Sequence, residues 1–76
     1  MTLGEFLTGR GIRQDAAGLL AGVDGSTISK ISSGKTRARP TTVVKLATAL
    51  GVSARRMQAM CDAAYVAAHQ DELISS

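Results

Sequence analysis

The chain has no tryptophan, one cysteine, one proline, one histidine and, in 76 residues, only two aromatic rings, Phe6 and Tyr65. A single cysteine excludes an internal disulfide, so Cys61 points to a reducing compartment and reads as a small apolar residue of a core or interface. Two rings cannot fill a core. Leu, Ile, Val, Ala and Met must do so, which is the usual filling of a small helical bundle, and the abundant alanine favours helix as well. No apolar run approaches the roughly 18 residues that a membrane span needs. Met1 opens on a helix rather than on a basic leader, so cytoplasmic residence is the expectation. The lone His69 lies outside any plausible pocket, which removes a catalytic triad, and with Cys61 eight residues away it makes no metal-binding set. Neither an enzyme nor a cofactor is expected.

Acidic side chains are scarce too, six against nine basic ones, for a net charge of +3. The excess is local. Between Arg10 and Arg39 stand Arg10, Arg13, Lys30, Lys35, Arg37 and Arg39, opposed only by Asp15 and Asp24. A mixed-charge surface is normal for solubility, whereas basic charge gathered in one segment is the electrostatic footprint of a polyanion partner.

A chain this short holds one domain, near the lower limit at which an aliphatic core suffices. The expectation is a single domain over 1–76, with a core of about 1–60 and a C-terminal helical extension of about 61–72. Thr2-x-x-Glu5 is a capping box, with Met1 and Phe6 placed as a hydrophobic staple, and Leu3, Phe6 and Leu7 form the inward stripe of a first helix. Gln14 to Ala21 reads as a second helix stopped by Gly22, with Ala17 and Ala21 as close-packing positions. Gly18 inside it costs about 1 kcal/mol relative to alanine, for which close approach of another helix would compensate. Asp24 can cap a third helix from Gly25 to Ser33 by accepting the amide of Ser26 or Thr27, and Gly34 ends it. Pro40 bars helix at Arg39, and Thr41 is the expected cap of a fourth helix from Thr42 to Leu50 with Val43, Leu46, Ala47 and Leu50 inward. Gly51 closes that helix. Ser53 caps a fifth, where Ala54, Met57, Met60, Cys61, Ala64 and Ala68 follow the helical period. Its second half, through Tyr65, Val66 and Ala67, is apolar on more than one side. It either meets a partner, with Met60, Ala64, Tyr65 and Ala68 as the dimer contacts, or projects and frays towards Gln70 to Ser76.

The second and third helices, joined by a short glycine-containing turn, match a helix-turn-helix unit, whose second helix enters the major groove of DNA. Ile28 and Ile31 face inward there, while Gly25, Ser26, Ser29, Lys30 and Ser33 face out. That face is short, polar and almost without bulky apolar groups.

These residues carry a resemblance. Gln14, Ala21-Gly22-Val23, Ser26-Thr27-Ile28-Ser29-Lys30-Ile31, Gly34-Lys35, Pro40, Lys45-Leu46-Ala47 and Ala49-Leu50-Gly51-Val52-Ser53 resemble the lambda repressor/Cro-like helix-turn-helix family, also called the XRE family, over residues 1 to about 60. The resemblance implies an all-α, compact five-helix DNA-binding domain with a long C-terminal helix. It implies that Gln14 binds a DNA phosphate and that Gly25, Ser26 and Lys30 meet base edges. Side-chain chemistry agrees: Lys30 reaches guanine O6 or N7 and Ser26 donates or accepts, with Ser29 beside them. Thr27 and Ser33 suit phosphate oxygens, and Lys35, Arg37 and Arg39, joined by Arg13, suit the backbone as point charges. The expected function is double-stranded DNA binding by a transcriptional regulator, most simply a repressor that binds a pseudo-palindromic operator as a homodimer. The rival is an antitoxin or regulatory module that binds a protein through its C-terminal helix.

The chain departs from the family at several points. Gly25 stands where a longer polar side chain is usual, so specificity leans on Ser26, Lys30 and DNA shape. Arg13 replaces a Ser or Thr cap. Leu7 and Ser32 replace an Arg and Glu pair, and losing both leaves no orphan charge. Leu19 and Leu20 replace a polar pair, and one of them should be exposed. Ser33-Gly34-Lys35-Thr36 looks like the end of a phosphate-binding loop, but Ser29 stands where its first glycine is required, which excludes nucleotide hydrolysis.

Overall fold

The computed structural model describes residues 1–70 and contains five α-helices, α1 (Leu3–Gly9), α2 (Gln14–Ala21), α3 (Gly25–Ser32), α4 (Pro40–Leu50) and α5 (Ala54–Ala68), with no strand among the described residues. Each helix start has a local cause. At α1 the Thr2 hydroxyl accepts from the Glu5 amide at 3.2 Å while a Glu5 carboxylate oxygen accepts from the Thr2 amide at 2.9 Å. The Thr2 amide, and after it the Thr2 hydroxyl, hold the Glu5 carboxyl below its usual range. Met1 does not form the expected staple and stays 70 % exposed. The guanidinium groups of Arg10 and Arg56 stand over the Phe6 ring instead, at 4.6 and 5.9 Å.

Helix α4 begins at Pro40 rather than Thr42, with Arg39 and not Thr41 as its cap. Proline suits the first helical position because its φ is already helical and the amide it lacks would have no partner there. Gly22 and Gly51 end α2 and α4 in the left-handed conformation, each with φ +69°. Helix α3 stops one residue early, at Ser32.

The core joins Leu3, Phe6 and Leu7 of α1, Ile28 and Ile31 of α3, Val43, Leu46 and Leu50 of α4, and Met57, Met60 and Cys61 of α5. Burial raises the Cys61 thiol to about 11, with the Asp62 carboxylate as the lesser cause. Ala54 and Ala68, which follow the same helical period, are exposed, so the buried stripe of α5 runs only from Met57 to Ala64. Gly18 finds its compensation: a β-carbon there would stand 2.5 Å from the Val23 carbonyl oxygen and 3.3 Å from the Gly25 amide nitrogen. The turn and the start of α3 lie directly on α2.

The far half of α5 does not project. It lies against the turn after α3, where Gly34, at φ +78°, is buried and a β-carbon would run into the Ala64 carbonyl and the Ala68 side chain. His69 Nε2 lies 3.1 Å from the Gly34 carbonyl oxygen. The remainder of the expected extension, beyond residue 70, lies outside the described residues.

Candidate nucleic-acid interface

Helix α3 is oriented by Ile28 and Ile31, which are 0 and 1 % exposed. With those two inward, Ser26, Ser29 and Lys30 face out and are exposed. The Asp24 carboxylate accepts from the Ser26 amide at 3.4 Å, which leaves the Ser26 hydroxyl outside the cap. Gly25 is half-buried at the first position, and a β-carbon would make only ordinary contact with Asp15 Cα at 3.8 Å. Packing therefore does not demand glycine there; the residue leaves a notch where a longer side chain would reach outward.

At the start of α2, Arg13 and Gln14 are exposed, and Arg13 has no capping side-chain bond. Its contact with Asp15, 3.9 Å between two exposed side chains, is worth little in water and leaves the cation available. Ser33 is less available than expected, because its hydroxyl donates to the Lys30 carbonyl at 3.1 Å. Lys35, Arg37 and Arg39 are all exposed.

Between α3, the segment after it and α4 lies a depression of about 410 Å³. Its rim carries Lys30, Arg37, Arg39 and Lys45 together with the hydroxyls of Thr27, Thr36 and Thr42, and no carboxylate. Four cations without an acid around a concave, hydroxyl-lined surface suit a chain of phosphates, for which the ammonium and guanidinium groups supply charge and the threonines supply donors. A larger depression between α1 and the start of α2, about 730 Å³, carries both Glu5 and Arg13 and has no such polarity.

Thr42 and Lys45 join this surface although nothing in the sequence pattern singles them out. Helical periodicity marks Lys45 as outward, but only the packing of α4 against α2 turns that side towards α3. Conversely, Met60 and Ala64, expected as dimer contacts, are each 3 % exposed and belong to the chain's own interior. The Tyr65 ring is covered by the Arg37 guanidinium at 4.6 Å and stacked on His69 at 4.2 Å. Of the four expected contacts only Ala68 is exposed, and its methyl group faces Gly34. Both Leu19 and Leu20 are exposed, at 85 and 62 %, where one was expected. Among the described residues no helix is long and apolar enough to cross a membrane.

A helix-turn-helix family model matches residues 3–57, which includes α1 to α4 and the first turn of α5. Neither the curated proteins nor the solved structures give a match.

Proposed function

The chain belongs to the lambda repressor-like (XRE) helix-turn-helix family of DNA-binding transcriptional regulators, and from that premise we propose that it is a sequence-specific repressor that occludes a promoter. One observation carries the reading: the exposed hydroxyls and ammonium of α3 adjoin a depression rimmed by four cations and no carboxylate. In this reading Ser26, Ser29 and Lys30 meet base edges in the major groove, with the Gly25 backbone beside them. Gln14, Arg13, Thr27, Lys35, Arg37, Arg39 and Lys45 hold phosphates, and Ser33 joins them only after its hydroxyl leaves the Lys30 carbonyl. Such a role places the chain in the cytoplasm with the DNA it binds.

A single module of this size reads half a site, so the operator is pseudo-palindromic and bound by a homodimer, with half-sites about 34 Å apart. The dimer contact falls to Val66, 49 % exposed, beside Ala68, because Met60 and Ala64 are buried, the Tyr65 ring is occupied and the Ala68 methyl group faces Gly34. The same exposed Val66 supports the second reading, an antitoxin or regulatory module that holds a protein partner on α5.

Titration with mixed-sequence duplex DNA over a range of salt separates the two. A DNA binder loses affinity on a log-log slope of about −0.9 for each phosphate it neutralises. Weak binding that is indifferent to salt would favour the protein partner. Footprinting that shows a single, unpaired half-site would contradict the homodimer.

A further inference from the structure

The family match ends at residue 57, yet α5 continues to Ala68 and its last turns rest on the segment that carries Lys35, Arg37 and Arg39. Three contacts fasten the two together. The Gly34 backbone is pressed against the Ala64 carbonyl and the Ala68 side chain, with no room for a β-carbon. His69 Nε2 meets the Gly34 carbonyl at 3.1 Å, and its ring stacks on Tyr65 at 4.2 Å between centroids and 29° between planes. The Arg37 guanidinium lies 4.6 Å above the centre of the Tyr65 ring. The end of α5, the reversal at Gly34 and a cation on the rim of the depression thus form one connected contact.

We infer that Tyr65 and His69 are positioning residues for DNA binding: they hold Arg37 and the turn at Gly34 in the arrangement that receives a phosphate. This rests on the reading of Arg37 as a phosphate ligand. A guanidinium stacked on a ring uses its face, while its N–H donors lie in its plane and point outward from the edge. The stack therefore restrains the side chain without consuming the donors that a phosphate needs. An arginine already restrained loses less rotamer freedom on binding, which converts to an affinity gain of about 2- to 10-fold for one long side chain. Holding Gly34 adds to this, since it sets the direction in which the chain leaves α3.

The test is a double-mutant cycle on the full chain with a short mixed-sequence duplex at low salt. Tyr65→Leu, which keeps apolar bulk and removes the aromatic face, is expected to weaken binding about 2- to 10-fold in the wild-type background and to have a clearly smaller effect in an Arg37→Ala background, where only the hold on Gly34 is left to lose. Tyr65→Phe keeps the face and is expected to bind as the wild type does. Without DNA, the Arg37 side-chain protons of the wild type are expected to show a ring-current shift that Tyr65→Phe preserves and Tyr65→Leu abolishes. Loss of equal size in both backgrounds, a gain in affinity on Tyr65→Leu, or the absence of that shift in the wild type would each overturn the inference. Failure of the wild-type chain to bind the duplex at all would instead sink the DNA-binding reading, while the ring-current measurement still decides whether the stack exists.

Discussion

Gly18 and Val23 lock the turn between α2 and α3 from two directions. The Val23 amide donates to the Gly18 carbonyl at 2.8 Å, and the Val23 carbonyl oxygen stands 2.5 Å from where a β-carbon on residue 18 would be. The angle at which α3 is presented thus depends on a missing side chain one helix away.

Gly18→Ala is the direct check. Helix propensity alone would favour alanine by about 1 kcal/mol, whereas forcing a methyl group against backbone atoms that cannot swing aside costs about 1–3 kcal/mol. Urea unfolding is expected to show a net loss of stability. Gly9→Ala, where a β-carbon meets nothing within 4 Å, should be neutral or stabilising. Equal gains in the two variants would contradict the packing described for the turn.

Base reading and backbone holding should separate in binding measurements. Lys30→Ala is expected to weaken specific binding by about 1–3 kcal/mol and to relax preference at one base pair. Lys45→Ala, at the other edge of the depression, should weaken all sequences alike and flatten the salt slope by about one unit, as should Arg37→Ala. Identical behaviour of Lys30→Ala and Lys45→Ala in a selection from random duplexes would remove the distinction between them.

Ser32 gives a prediction of the opposite sign. Its hydroxyl oxygen is buried and has no hydrogen-bond partner among the described residues. A buried polar group without a partner costs about 1–3 kcal/mol, so Ser32→Ala should raise the unfolding midpoint. A fall in that midpoint would show that the hydroxyl is satisfied in solution.

Cys61 should make stability fall in alkali. Its thiol is raised from 9.0 to about 11, chiefly by burial and then by Asp62, so the folded chain keeps a proton that the unfolded chain releases. Below 9.0 both states hold the proton and this group adds no slope; between 9.0 and about 11 the unfolded state binds fewer protons and stability declines. Denaturant unfolding of the wild type and of Cys61→Ala across that interval should show the decline lessened in the variant. Parallel curves would place the thiol in solvent.

Much of this was legible in the residue order because its causes are short-range. The reciprocal pairing of Thr2 with Glu5, the Asp24 and Ser53 caps and the stops at Gly22 and Gly51 all act within a few positions, so reading in order finds them. The inward positions of Ile28 and Ile31, and hence the outward face of α3, follow from helical period alone. The sequence pattern puts the start of α4 two residues late, because a proline that bars helix at Arg39 can itself be the first helical residue, as Pro40 is. Tertiary structure alone decided which residues distant in sequence meet. Lys45 joins Lys30 only because α4 packs on α2, and Tyr65 reaches Arg37 only because Gly34 has no side chain to keep α5 away. Caps and periods are set by neighbours along the chain, whereas these meetings are set by how helices settle onto one another, which depends on the shape of the whole core.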